Sequence, residues 1–472
     1  MKIIKYLLLT VFALSLTVSC DDFLSHSPSD QILTGEAFQS PADIETGLYG
    51  LYNRFGFWPF MGRNVVALGD IAADNAWMTG TSGHFDNIYM YTVSTDTPDL
   101  LDIWSGGYLV ANGAAQLISA APTVLESYPD AENTEKVNNG LAQAYILKAM
   151  SHFYLVNIFG LPYSQANASS TGVIIIKDEP IIAFEEVERG TVADTYKQIL
   201  DDITKAKGLI TKGKFNAFTI NEASIYAFEA RVKLYMQEWK DAKESALKAI
   251  ELSEGEIVTD STKYNDMWGS LTATSEDIFT IAKLSNDNLS ANALNTLYGS
   301  YNGKILPGLY DLFDENDMRQ GLFEVPSNGQ IRGLKFKGLS ESAATSNIPV
   351  LRIPEMHLII AEAKAQLEEA DAVDYVFNVA KRNPDLEKSD IPTAKEDLLE
   401  FISVERRREL FQEGHRWFDV RRTGELISRE GSRAIYKNWD ASKFVYPIPS
   451  QEVNASGIVQ NENWNKALPT IE

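Results

Sequence analysis

Residues 219–250 read TINEASIYAFEARVKLYMQEWKDAKESALKAI, and the placement of small residues in this stretch decides the fold class. Ala230 and Ala242 stand twelve apart, Ala246 and Ala249 follow, and the chain turns at Trp239 between them. Small side chains at these positions let two antiparallel helices approach closely, the pattern of a tetratricopeptide helix pair. A generic helical hairpin reads alike from this unit alone. Thr219 and Glu222, three residues apart, have the form of a capping box opening the first helix.

The same logic extends in both directions. Upstream, Ser40 and Pro41 read as N-cap and first residue of a helix whose Ile44, Leu48, Leu51 and Tyr52 share one face. A Gly/Pro/aromatic loop over 55–63 precedes a helix expected over 64–77. Two long helices are expected over 100–120 and 135–159, the second turning Leu141, Tyr145, Ala149, His152, Phe153 and Val156 inward until Gly160 and Pro162 stop it. A strand is expected over 173–176. Downstream, 256–346 is rich in Gly, Asn, Ser and aromatics, with strands expected over 278–283 and 333–338. Helices return over 356–367, 373–381 and 398–411, the last ended by Gly414. The class is therefore mostly α. A tetratricopeptide-like helical-pair scaffold over about 41–255 and 347–425 carries an irregular, loop-rich portion over about 256–346 and 426–472.

At the start of the chain, Lys2 and Lys5 precede an apolar run from Leu7 to Val18. That is the charge pattern and length of a secretory signal. Twelve helical residues rise roughly 18 Å, short of a bilayer core of about 30 Å. Ser19 is small, as a cleavage site requires, and Cys20 is the sole cysteine, so it has no internal disulfide partner. The stretch Leu16-Thr17-Val18-Ser19-Cys20 resembles a loose bacterial lipobox, which implies a signal peptide over 1–19, lipid attachment at Cys20 and a polar tether over 20–40. One acyl chain anchors marginally, and two or more hold firmly.

The chain holds 65 acidic against 42 basic residues, a net charge of −23. Such a balance disfavours nucleic acid or an anionic membrane surface as partners. No phosphate-binding loop, zinc-protease helix or nucleophile elbow is present. The five histidines have no metal-ligand spacing, and no cofactor is expected; His152 and His357 sit in apolar helical patterns, as packed residues do. Adjacent acids such as Asp201-Asp202 and Glu185-Glu186 carry little weight as glycosidase pairs in so acidic a chain.

The densest charge pattern is ERRRELFQEGHRWFDVRR, residues 405–422. Acids alternate with bases at helical spacing, pairing Glu405 with Arg408 and Arg406 with Glu409. Arg408 shares a face with Val404 and Phe411 and is expected to point inward. A structural ion network of Glu405, Arg408, Glu409, Glu413, Arg416 and Asp419 follows, with a phosphate site as the alternative.

This run resembles the C-terminal signature of SusD/RagB-like outer-membrane lipoproteins. Other stretches resemble the same family in order: Cys20-Asp21-Asp22-Phe23-Leu24, Glu276-Asp277-Ile278-Phe279, residues 314–319 (DENDMR), residues 352–363 (RIPEMHLIIAEA), Tyr446-Pro447-Ile448-Pro449 and Gln460-Asn461. The resemblance implies one SusD-like domain over 41–472 and a place on the extracellular face of the outer membrane. It also implies partnership with a SusC-like TonB-dependent transporter, and capture of oligosaccharide without catalysis. A structural lid with little binding of its own, or a glycoside hydrolase, are the competing readings.

Sugar rings offer apolar faces and polar rims, so a binding shelf needs exposed aromatics beside amides or charged groups. Loop aromatics qualify where helical core aromatics do not. The candidates are Trp58, Trp77 and Tyr89 with Asn75 in the first hundred residues, and Trp268, Tyr298 and Tyr301 in the middle region. Phe57, Phe60, Phe85, Arg63, Asp74 and Asn87 lie near the first group.

Overall fold

The computed structural model describes residues 37–183, 185–462 and 464–472; the signal segment and Cys20 lie outside the described residues. Helix α1 (Pro41–Phe55) starts where Ser40, in extended conformation, accepts the Asp43 amide on its hydroxyl. It buries Ile44, Leu48, Leu51 and Phe55 against two long helices. These are α3 (Pro98–Ser127) and α4 (Ala131–Phe159), which form an antiparallel hairpin. The hairpin is tight because Gly107 lies against Leu155: a Cβ there would stand 2.9 Å from the leucine side chain. From Gly140 onward α4 is buried on every side, as a helix surrounded by neighbours must be.

Helix α5 (Val192–Leu209) packs on α4 and opens with a reciprocal cap between Thr191 and Asp194. The pair α6 (Glu222–Tyr235) and α7 (Trp239–Ser253) follows, with Ala230, Ala242, Ala246 and Ala249 fully buried where the helices meet. The expected cap is displaced here. Asn221, not Thr219, accepts the Ser224 amide, and Ser224 returns the bond to the Asn221 amide. Asn221 wins because its side-chain amide also reaches the carbonyls of Asn216, Thr219 and Ile278. Helix α8 (Ile353–Gln366) lies on α7, α9 (Ala372–Ala380) on α8, and α10 (Lys395–Leu410) on both. The successive pairs thus build one layered scaffold.

Ten short strands pair two by two among the described residues. The important pair is β1 (Ala76–Met78) with β5 (Gly303–Ile305), antiparallel, with Trp77 opposite Lys304. A helix was expected through 77, but α2 (Asn64–Ile71) ends six residues earlier. The Arg429 guanidinium takes the carbonyls of Ile71 and Ala73 at 2.8 and 2.5 Å, satisfying acceptors that another helical turn would have used. The chain is then free to extend into β1. Strand β4 (Asp277–Ile281) pairs with β8 (Ile348–Arg352) close to expectation. The strand expected over 333–338 shrinks to β7 (Arg332–Gly333), paired with β6 (Phe323–Glu324), because Lys335 turns inward to Glu413. After α10 the backbone reverses at Gln412 and Gly414, both at positive φ, and enters α11 (Arg416–Thr423).

Candidate functional site: an aromatic shelf on the loop face

The 55–63 loop folds back on itself, Gly62 and Asn64 donating to the carbonyls of Phe57 and Trp58. This presents Phe57 and Trp58 outward and brings Arg63 beneath them. The Arg63 guanidinium lies 4.7 Å from the Trp58 ring centroid and donates to Asn292 Oδ1 at 2.9 Å. Burial lowers the Arg63 pKa, while Asp99 and Asp102 at the start of α3 act against that loss. Burial in turn raises Asp99 to about 6 and moves Asp102 in the same direction.

Beside this group His84 and Tyr301 stack, with ring centroids 4.2 Å apart and planes within 11°. Ser82 Oγ donates to the Tyr301 carbonyl at 3.1 Å, and Asn302 reaches Thr81. Two segments more than two hundred residues apart are thereby stitched together, and the β1–β5 pair continues the seam to Trp77 and Lys304. Trp58, Trp77, His84 and Tyr301 are all half-buried, so each is held in place without being fully enclosed. Stacked rings beside amide, carboxylate and guanidinium groups can hold a sugar face while satisfying its hydroxyls.

The other sequence candidates lie elsewhere. Tyr89 is buried beneath Arg429 and accepts the Ala434 amide. Tyr298 is 1% exposed and Trp268 lies under Lys335 and Arg352. Asn75 is buried between Asp70 and Arg407. Phe60 and Phe85 are core residues. These side chains offer no open face to a ligand. The sequence did not single out His84, Asn292, Asp99 or Lys304, since their placement depends on neighbours remote in the chain.

Cavities also exist on the scaffold. One of about 580 Å³ is lined by Gln366, Arg406, Arg422 and Leu426 and contains no aromatic ring. Another of about 410 Å³ has Tyr49, whose hydroxyl is bonded to Glu45. Volume alone does not select the site, because stacking on a planar ligand needs open aromatic faces rather than a deep cavity.

The charged run of residues 405–422 forms three buried clusters. In the first, Glu409 faces Arg352, Arg382 and Arg319 at 3.0, 3.1 and 3.5 Å. Glu276, Glu413, Glu405, Asp317 and Lys335 complete it. In the second, Arg416 and Arg407 clasp Asp74, and Arg416 also reaches Glu425. In the third, Asp419 accepts from Arg406 and Arg422, and Arg422 reaches Glu362. Arg406 therefore pairs with Asp419 rather than Glu409. Arg408 is half-exposed rather than inward, bonded to the Leu312 carbonyl and 3.3 Å from Glu405. Helical spacing located the charges, but the deep partners come from residues 276, 317–319, 352 and 382. The guanidiniums of the run are engaged by carboxylates, carbonyls and an amide, Arg406 Nη1 excepted, which leaves little to grip a phosphate.

These clusters make stability pH-dependent. Burial pushes Glu409 up, but Arg382, Arg352, Lys335 and Arg319 outweigh it and hold the carboxyl down at about 2. Asp74 and Asp419 are likewise held well below the carboxylate range against their burial, by Arg407 with Arg416 and by Arg406 with Arg422. Depressed carboxylates stabilise the fold above their unfolded pKa, and that stability is lost as pH falls through the folded value. Burial keeps His152 down at about 3 and His415 well below 6.5, so both favour unfolding as pH drops below 6.5. Asp70 and Asp202, raised by burial to about 6 and about 7, act oppositely and flatten the profile between about pH 4 and 7. The thermal midpoint, followed by circular dichroism, is expected to fall steeply between pH 4.5 and 2; an unchanged midpoint at pH 2 would contradict this account.

Among the described residues, no cluster of three or more His, Cys, Asp or Glu side chains could hold a metal, and no helix is long and apolar enough to cross a membrane. Residues 22–234 match the sequence family described as "Starch-binding associating with outer membrane", and residues 327–464 match the SusD family. SusD-like protein P2 of Formosa agariphila is 26% identical, over 97% of this chain and 98% of its own. A SusD superfamily structure from Bacteroides vulgatus aligns at 25% identity with a TM-score of 0.81, covering 90% of this chain and 100% of its own. A laminarin-binding SusD-like protein aligns at 21% identity with a TM-score of 0.71 over 90% of this chain and 100% of its own, a likeness of fold.

Proposed function

Because the chain belongs to the SusD family, whose members are described as carbohydrate-binding and associated with the outer membrane, we propose that it captures oligosaccharide on its loop face and passes it to a SusC-like TonB-dependent transporter. The observation that carries this reading is the shelf of Trp58, Trp77 and the His84–Tyr301 stack, seated on Arg63 and Asn292. It binds without catalysis. The protein stands on the outer face of the outer membrane, lipid-anchored at Cys20, as the domain over 41–472 leaves its tether. Retention of unmodified Cys20 in protein from native membranes, read by mass spectrometry, would overturn the anchor. Co-purification of a TonB-dependent transporter with the tagged chain tests the partner.

The shelf is tested by affinity gel electrophoresis on a polysaccharide panel. Trp77→Ala and Tyr301→Ala are each expected to weaken retention roughly tenfold, about 1.4 kcal/mol of lost stacking and burial. Both are half-buried at the rim, so the thermal midpoint checks that the fold survives. Retention unchanged in both variants, with the fold intact, places the ligand elsewhere.

A further inference from the structure

Buried lysines in this protein come with carboxylates. Lys148 has Asp178 and Asp202, Lys335 has Glu413, Lys364 has Glu369 and Asp371, and Lys283 has Asp287 at 3.9 Å. Lys304 is the exception. It is 9% exposed, and among the described residues no carboxylate, hydroxyl or carbonyl takes a hydrogen bond or ion pair from its ammonium. The charges that act on it are Arg332 and Glu324. Glu324 is engaged with Arg332 at 3.5 Å, and Arg332 keeps a buried Nε with no partner of its own. Burial, and then the like charge of Arg332, lower the Lys304 pKa, as expected of a cation whose counter-charge is missing.

The position of this cation gives it meaning. Lys304 sits directly opposite Trp77 in the β1–β5 pair. Facing residues of an antiparallel pair project from the same side, with Cβ atoms about 5 Å apart. A ring stacked on Trp77 would carry its substituents to the Lys304 ammonium. A neutral hydroxyl there leaves the charge uncompensated, whereas an anionic group supplies the missing partner. The surrounding chain carries −23, so it repels polyanions at long range, and a cation without a carboxylate partner on the shelf is a local reversal of that field.

We propose that Lys304, backed by Arg332, is the counter-charge for an anionic substituent, so that the captured saccharide is an acidic glycan bearing a carboxylate or a sulfate ester. This rests on the reading of the Trp77–Tyr301 shelf as the glycan site.

The test measures retention of the full chain on polygalacturonate and alginate for the carboxylate, and on chondroitin sulfate and dextran sulfate for the ester. Methyl-esterified pectin and dextran serve as neutral counterparts. At least one polyanion is expected to bind more tightly than its neutral counterpart, and the arm that binds names the group. Lys304→Met keeps the aliphatic stem against Trp77 and removes the charge. It is expected to weaken that binding about tenfold or more, with an unchanged or raised thermal midpoint, while Lys304→Arg retains most of it. Equal retention of neutral and acidic forms, no retention of any polyanion, or full binding by Lys304→Met each overturns the acidic ligand. If neutral glycans still bind in a Trp77-dependent manner, glycan capture at the shelf survives that failure. If Trp77→Ala changes nothing, the shelf itself is wrong.

Discussion

Glu409→Ala is expected to lose about 3–5 kcal/mol of stability, enough to leave much of the chain unfolded at 37 °C. Glu409 is wholly buried and stands between Arg352, Arg382 and Arg319. Removing its carboxylate leaves those guanidiniums with too little negative charge and no water to replace it. The loss reflects the uncompensated cations more than the worth of the pair itself. Glu409→Gln keeps the shape and one acceptor, so an intermediate loss is expected. The control is Asp201→Ala, whose exposed pair with Lys197 should matter by less than about 0.5 kcal/mol. Urea denaturation followed by tryptophan fluorescence measures all three. A Glu409→Ala midpoint equal to that of Asp201→Ala would show that the network is decorative.

Gly414→Ala is the second large expected effect, at about 2–4 kcal/mol. Gly414 has φ +81°, and a Cβ there would stand 2.8 Å from the Val66 Cα. The reciprocal Gly69 is as tight, since its Cβ would meet the Gly414 carbonyl oxygen at 2.3 Å. The two glycines let α2 lie flush on the reversal after α10, where the Gly414 amide donates to the buried Asp70 carboxylate at 3.0 Å. Both clashes are with backbone, which cannot swing aside as a side-chain tip can. Gly50→Ala in α1, with nothing within 4 Å, should instead stabilise by up to about 1 kcal/mol. The thermal midpoints of the two variants test the ordering.

The helical scaffold was legible because its signals are local. Small residues at Ala230, Ala242, Ala246 and Ala249, the Ser40 cap and the long apolar face of α4 act within a few turns of chain. Misplacements arose where a distant group competed. Arg429 took the carbonyls that would have prolonged α2, and Asn221 displaced Thr219 as cap because it also reached Ile278. The shelf was half legible: Trp58, Trp77 and Tyr301 looked the same in sequence as Tyr89, Trp268 and Tyr298, and only burial separates them.

Composition, charge and helix periodicity thus sufficed for a mostly α chain, and the ordered motifs for its resemblance to SusD-like proteins, since each is a property of consecutive or regularly spaced residues. Which arginine meets which carboxylate was decided by packing, through contacts that bring Arg319, Arg352 and Arg382 to Glu409, and Glu276 to Arg352 and Arg382. So was the aromatic shelf, because Trp77 faces Lys304, and His84 stacks on Tyr301, across more than two hundred residues of chain. No local pattern encodes such a meeting; it exists once the loops have been seated on the folded scaffold.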